Sequence, residues 1–202
     1  SDRIPLGRAW PFAQELLGWL RGLPGVSAAE AAGSLRRMRA TVGDLDLLVA
    51  ASDSAPVMQA FTGRPDIIRV LGQGTTKSSV EFEHGLHAQL WVHPPERFGT
   101  ALQYATGSKD HNVRLRELAL KQGLSLSEHA LARRDGTEIL CASEEEVYAA
   151  LGLAWIPPEL REDRGEVQAA LSGKSPNLIA LKDMRAELHS HSTWSDGKLS
   201  IR

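Results

Sequence analysis

Two aspartates separated by one leucine are the first residues whose types and spacing indicate chemistry. Asp44 and Asp46 open the apolar run 44–51, which predicts a buried strand. Side chains two apart on a strand point to one face, so we expect both carboxylates to lie together. A divalent cation such as Mg²⁺ or Mn²⁺ relieves their mutual repulsion and also accepts substrate phosphates. The pair therefore predicts a metal site, although an isolated Asp-x-Asp is more often a solvated strand end.

A glycine and a serine ten residues upstream add a second kind of chemistry. Gly33 lets the backbone approach a phosphate group, and the Ser34 hydroxyl can donate to one. Arg37, about one helical turn further on, supplies positive charge for a triphosphate. Glycine, hydroxyl, arginine and paired aspartates together predict metal-assisted phosphoryl or nucleotidyl transfer.

The elements that must position these side chains follow from the apolar pattern. Period-two alternation and short apolar runs predict strands, and apolar residues spaced three and four apart predict helices. The predicted strands are 26–32, 44–51, 67–71, 77–83, 86–92, 130–133 and 138–141. The predicted helices are 10–20, 56–61, 98–104, 112–123, 143–151 and 166–171. The fold class is therefore expected to be α+β, with a mixed sheet up to about residue 95 and mainly helices after it.

Composition narrows the class of protein. The 202 residues carry a net charge of −2, so any contact with nucleic acid must be local rather than spread over the surface. Cys141 is the only cysteine, which excludes an internal disulfide and favours a reducing compartment, the cytoplasm. No apolar run approaches the roughly 20 residues of a membrane span, so we expect no membrane partner.

Three runs of sequence resemble one known family. The run GSLRRMRATVGDLDLLVA (33–50) resembles the palm motif of the family X DNA polymerases, which belong to the nucleotidyltransferase superfamily. The run GQGTTKSSVEF (72–82) resembles the next palm strands of that family. Residues 98–131, beginning FGTALQYATGSKDHN, resemble its thumb. The resemblance covers residues 3–151 and implies a palm over 1–95 and a thumb over 96–152.

The resemblance also implies an activity and a set of site residues. It implies two-metal transfer of a nucleotide from a dNTP to a primer 3′-hydroxyl on gapped or primer–template DNA, as in gap-filling repair. The residues implied to hold the triphosphate or lie beside the incoming sugar are Gly33, Ser34, Arg37, Gly43, Tyr104, Thr106 and Gly107. Asp44 and Asp46 are implied to hold both metals. Asn112 and Arg116, four apart on a predicted helix, are implied to touch the new base pair and the template.

One position departs from the family pattern. Family X polymerases carry a third carboxylate on a later palm strand, and here Gln89 aligns with it, on the polar face of the predicted strand. A glutamine amide can lend an oxygen to a metal, but it adds no charge and is not a useful base. We therefore expect nucleotide binding to survive while catalysis is weakened.

A second group of potential metal ligands lies near the last residue. His189 and His191 share a face if that segment is a strand, and Asp196 follows in a predicted turn. Neutral imidazoles and a carboxylate suit Zn²⁺ or Mn²⁺. The segment resembles the first motif of the PHP (polymerase and histidinol phosphatase) domain, a metal-dependent phosphoesterase barrel with nuclease activity. We expect a polar linker over 153–182, the first strand of a PHP barrel in 183–202, and a chain that is a piece of a longer protein.

Two alternatives to a polymerase remain open on these residues. A palm weakened at Gln89 can serve as a DNA-binding module for a PHP nuclease. A nucleotidyltransferase acting on a small acceptor would need no template, and the thumb resemblance at Asn112 and Arg116 argues against it.

Overall fold

The structure is a computed structural model, and it describes residues 3–171. Its helices and strands, in chain order, are β1 (Ile4–Pro5), α1 (Leu6–Arg21), β2 (Val26–Ala32), α2 (Gly33–Arg36), β3 (Thr41–Val42), β4 (Leu45–Ala51), α3 (Ser54–Thr62), β5 (Ile67–Gln73), β6 (Lys77–Phe82), β7 (His87–His93), α4 (Phe98–Thr106), α5 (Lys109–Lys121), β8 (Leu124–Leu126), β9 (Leu131–Arg133), β10 (Glu138–Ile139), α6 (Glu144–Ala150) and α7 (Glu166–Leu171). Short 3₁₀ helices cover Pro95–Arg97 and Pro158–Leu160. The mixture of helices and sheets expected from the sequence is confirmed.

A five-stranded sheet forms the N-terminal part of the structure. Its strand order is β2-β4-β7-β6-β5, and β4 and β7 are the parallel pair while the other neighbours are antiparallel. In β7 buried and half-buried residues alternate from His87 to His93, as the sequence pattern predicts for a strand with one face in the core. The parallel pairing places Asp46 opposite Gln89.

The two faces of β4 pack against different helices. Leu45, Leu47 and Val49 are buried in a core with α1 and α3, whose apolar faces cover that side of the sheet. Leu48 and Ala50 point the other way and pack against α4. Because Asp46 alternates with Leu45 and Leu47, it lies on the same side of the sheet as α4, where it is half-buried.

The C-terminal part of the structure has its own core. Helices α5, α6 and α7 pack together with the three-stranded antiparallel sheet β10-β9-β8. Helix α4 packs against both the five-stranded sheet and α6, and its Gly99 lies close to the backbone at Cys141 and Ser143. A Cβ atom there would lie 2.3 Å from the Ser143 backbone oxygen, so only glycine fits.

Residues 153–171, the described part of the expected polar linker, pack into the C-terminal core. Leu153, Ile156, Val167 and Ala170 are buried in the same cluster as α5 and α6. The helix predicted over 166–171 is confirmed as α7. Six of the eight residues in 159–166 are charged, and this local polarity hid the apolar side chains on either side that anchor the stretch.

Other differences concern the ends of elements. Strand β4 begins at Leu45, so Asp44 precedes it rather than opening it. Helix α5 begins at Lys109 because the Ser108 hydroxyl accepts a hydrogen bond from the His111 backbone N–H and caps the helix. The sequence pattern missed four short elements altogether, namely β1, α2, β3 and β8. No helix within residues 3–171 is long and apolar enough to cross a membrane.

Candidate metal and nucleotide site

The structure brings Asp44, Asp46 and Gln89 together at one end of the parallel strand pair. Asp46 and Gln89 are register partners in β4 and β7. Gln89 donates a hydrogen bond from Nε2 to Asp44 Oδ2 at 3.1 Å. Gln89, at the position of the third carboxylate, thus bonds to the Asp44 carboxylate. It does so through its amide N–H and not through its amide oxygen.

Gly33 lies directly against the Asp46 carboxylate. Its backbone φ is +62°, and a Cβ atom at this position would lie 2.3 Å from Asp46 Oδ2. Any side chain would therefore be both strained and in collision with the carboxylate. The last residue of β2, Ala32, pairs with Asp46 across the sheet, and this pairing sets the close approach. Gly33 of the Gly-Ser motif and Asp46 of the Asp-x-Asp motif are therefore direct neighbours.

The electrostatics of Asp46 suit a cation. Burial, then the nearby charge of Asp44, raises the pKa of Asp46 to about 6, while Lys77 and Arg37 partly oppose the rise. Within the described residues, no group of three His, Cys, Asp or Glu side chains is placed to hold a metal ion. Two adjacent carboxylates nevertheless fit Mg²⁺ or Mn²⁺ when phosphate oxygens and water supply the other positions. The donor set therefore fits a substrate-assisted metal site.

Arg37 lies beside this site and is held by the C-terminal part of the chain. Its Nη1 donates to the Thr106 backbone oxygen at 2.7 Å, and its Nε donates to Glu162 Oε2 at 2.9 Å. A Cβ atom on Gly107, whose φ is +70°, would come within 3.1 Å of Arg37 Nη1. Thr106 and Gly107, predicted to lie beside the incoming sugar, thus contact the arginine predicted to hold the triphosphate.

A buried ion-pair network fixes the neighbouring arginine. Glu144 accepts hydrogen bonds from Arg36 at 2.8 and 2.9 Å and from Arg161 at 2.7 and 3.0 Å, and its Oε1 also accepts from Trp155 Nε1 at 3.1 Å. Arg36 donates as well to the Thr106 hydroxyl. Burial alone would raise the pKa of Glu144, but the two guanidinium groups outweigh it and hold that pKa far below its usual range. The network ties α2, α4 and α6 together.

Sequence reasoning missed this network, because Arg36 and Glu144 are 108 positions apart. The Ser143 and Glu146 capping pattern placed the start of α6, but no local signal marks Glu144 rather than Glu145 as the buried acid. Lys77 was missed too: its Nζ lies 5.1 Å from the centre of the Trp91 ring, and its charge lowers the pKa of Asp46.

The residues predicted to touch the base pair have different surroundings. Asn112 is buried, accepts a hydrogen bond from Gln103 at 2.7 Å and donates to the Tyr104 backbone oxygen at 2.9 Å. Its amide therefore orients the chain at Tyr104, a residue that is 47% exposed. Arg116 is half-buried on the next turn of α5.

Helix α5 carries the basic residues Arg114, Arg116 and Lys121, and the charge of Arg114 is partly neutralised. Arg114 forms ion pairs with Asp163 at 3.2 Å and Glu117 at 3.3 Å. Both pairs are exposed at the surface, where an ion pair contributes little to stability.

A buried histidine links α5 to α7. His111 Nδ1 lies 2.5 Å from Glu166 Oε2, and its Nε2 lies 2.9 Å from the Tyr148 hydroxyl. Burial lowers the pKa of His111, and burial raises that of Tyr148, so both are neutral. An ionised Glu166 can only accept, which places the imidazole proton on Nδ1 and makes Nε2 the acceptor of the tyrosine O–H.

The remaining predicted site residues are Ser34, Gly43 and the three possible metal ligands near the last residue. Ser34 is half-buried in α2, and Gly43 is half-buried between β3 and Asp44. His189, His191 and Asp196 lie outside the described residues, as does the expected first strand of the barrel.

Comparison with known proteins gives a family that matches the C-terminal part of the chain and relatives that match most or all of it. Residues 101–162 match the family described as DNA polymerase beta thumb. The chain is 40% identical over 204 residues to the DNA polymerase/3′-5′ exonuclease PolX of Bacillus subtilis (strain 168), covering 100% of this chain and 35% of that protein. It is 29% identical over 161 residues to DNA polymerase lambda of Rattus norvegicus, covering 65% of this chain and 28% of that protein. The chain spans about a third of the length of these relatives.

Proposed function

The chain is related over its whole length to the family X DNA polymerases, and we propose that it carries the nucleotidyl-transfer site of such an enzyme. The reaction is attack of a primer 3′-hydroxyl on the α-phosphate of a dNTP, with pyrophosphate as the leaving group. Its setting is gapped or primer–template DNA, as in gap-filling repair. The observation that carries the proposal is the contact between Gly33 and the Asp46 carboxylate, which joins a phosphate-binding turn to a pair of metal-binding acids.

Each part of the site has a task in this reaction. Asp44 and Asp46 would hold Mg²⁺ or Mn²⁺ together with triphosphate oxygens. Such an ion, when bound, would activate the 3′-hydroxyl as a nucleophile and neutralise negative charge on the leaving pyrophosphate. The Gly33 turn and the Ser34 hydroxyl orient the triphosphate, and Arg37 neutralises it. Tyr104, exposed at the end of α4, offers a surface to the sugar of the incoming nucleotide.

Gln89 limits the catalytic part of this site. In the third carboxylate position it donates to Asp44 and adds no negative charge. The nucleotide-bound metal retains both aspartates, whereas the metal that activates the primer hydroxyl loses an anionic ligand. The proposal is therefore a polymerase with intact nucleotide binding and a weakened chemical step.

The Gln89 geometry also favours a second candidate function. A palm that binds DNA and nucleotide but turns over slowly would serve to position DNA for a PHP nuclease. Under that proposal His189, His191 and Asp196 are the first ligands of a Zn²⁺ or Mn²⁺ site in the following domain. The name of the Bacillus relative, which includes a 3′-5′ exonuclease, is in keeping with this candidate.

Primer extension on one-nucleotide-gapped DNA separates the two functions. The protein should extend the primer in the presence of Mg²⁺ or Mn²⁺, and Asp44→Asn with Asp46→Asn should abolish extension. Asp135→Asn is the matched control, because it removes one charge from an exposed turn that asparagine also suits. DNA binding without any extension by the unmodified protein would reject the polymerase and leave the binding module.

A further inference from the structure

Glu162 places its carboxylate against the arginine that the triphosphate is proposed to use. Its Oε2 lies 2.9 Å from Arg37 Nε and 3.6 Å from Arg39 Nη1. The side chains of Glu162 and Arg37 are 20% and 16% exposed, so the pair is not sealed in the core. An incoming anion can therefore reach this ion pair from solvent.

A carboxylate and a phosphate compete for a guanidinium group, because both are anions that accept its N–H groups. Arg37 already commits Nη1 to the Thr106 backbone oxygen, and Glu162 takes its Nε. We propose that Glu162 is an internal anion that occupies Arg37 in the nucleotide-free protein and that an incoming nucleoside triphosphate displaces it. The inference rests on the proposed function and adds a residue that sets nucleotide affinity.

The backbone beside Glu162 is held in place, whereas its carboxylate is bound by the partly exposed side chains of Arg37 and Arg39. The adjacent Arg161 is fully buried, bound to Glu144 and to the Ile156 backbone oxygen at 2.9 Å. Displacement therefore requires only side-chain rotation, with no movement of the segment. Arg39, whose side chain is 44% exposed, provides a second cation for the displaced carboxylate. The displaced carboxylate keeps Arg39 as a partner, so the exchange costs only the partly exposed ion pair with Arg37.

Calorimetric titration with dTTP and Mg²⁺, in the absence of DNA, tests the inference. Glu162→Gln keeps the shape of the side chain and removes its charge. We expect its dTTP affinity to be about fivefold higher than that of the unmodified protein, the factor corresponding to a partly exposed ion pair. Inorganic tripolyphosphate should show a gain in the same direction, because the competition concerns the anion and not the base.

Asp163→Asn is the control, because it removes the same charge from the next residue, which pairs with Arg114 instead. The backbone φ of +56° at residue 163 is one that asparagine also tolerates, so the Asp163→Asn substitution adds no strain. The control should leave dTTP affinity unchanged. Weaker dTTP binding by Glu162→Gln would show that Glu162 positions Arg37 for the nucleotide, and it would overturn the inference. Equal, measurable dTTP affinities of the Glu162→Gln and unmodified proteins would overturn it as well. No dTTP binding by any of these folded proteins would overturn the proposed function itself, and the inference with it.

Discussion

Replacing Glu144 with glutamine should destabilise the protein strongly, because Glu144 is the only acid between two buried or half-buried arginines in the described network. The Glu144 side chain is 2% exposed, that of Arg161 is 0% exposed and that of Arg36 is 15% exposed. Glutamine keeps the volume but removes the charge that compensates both guanidinium groups. Removing one partner from a buried ion pair costs about 3–5 kcal/mol, a large share of the ~5–15 kcal/mol that stabilises a typical domain.

Urea denaturation followed by tryptophan fluorescence measures this loss. Glu145→Gln is the matched control: it lies in the same first turn of α6, is exposed, and loses the same favourable charge at the helix N-terminus. The control should change the free energy of unfolding by no more than about 0.5 kcal/mol. A Glu144→Gln protein within about 1 kcal/mol of the unmodified one would refute the view that this network holds the two parts of the structure together.

Four further changes have expected outcomes. Gln89→Asp should raise primer extension, most visibly with Mg²⁺, and a gain with neither Mg²⁺ nor Mn²⁺ would show that Gln89 is not the limiting residue. Arg37→Ala should weaken dNTP binding in calorimetry by about 1.5–3 kcal/mol, the value of a charge-assisted hydrogen bond. Because burial lowers the pKa of His111 below its ordinary 6.5, the unfolded state binds more protons in acid. Stability by urea titration should therefore fall as pH drops below about 6.5, and His111→Gln should flatten that fall. Arg116→Ala should reduce pairing fidelity more than DNA affinity in extension assays, whereas a uniform loss of affinity with a smaller salt slope would indicate a phosphate contact.

Local patterns in the sequence predicted most of the sheet, because strands with one face in the core must alternate. The strand over residues 86–92 is confirmed as His87–His93 with its predicted faces. The missed elements are short: β1 and β3 are two-residue strands that pair only with each other. Such elements have too few residues to show a period, and only the tertiary structure brings their edges together.

The site was predictable where it depends on one strand and its neighbours, and unpredictable where it depends on distant partners. Alternation alone placed Gln89 on the polar face of its strand, and the structure places it beside Asp46. The hydrogen bonds that fix Asn112 and the ion pair at Arg37 join residues on separate elements. Nothing in the local sequence distinguishes a buried partner from a solvated one at those positions.

Burial explains why two adjacent arginines have different tasks. Arg36 and Arg37 follow one another in the same motif, and each pairs with a glutamate from the C-terminal part of the chain. The partner of Arg36 is sealed in the core, so separating that pair would strand a buried charge and the contact is permanent. The partner of Arg37 reaches solvent, where its carboxylate can be rehydrated or paired again at little cost. Arg36 therefore anchors the site to the C-terminal part of the chain, whereas the proposed displacement assigns to Arg37 the exchange of its glutamate for an anionic substrate.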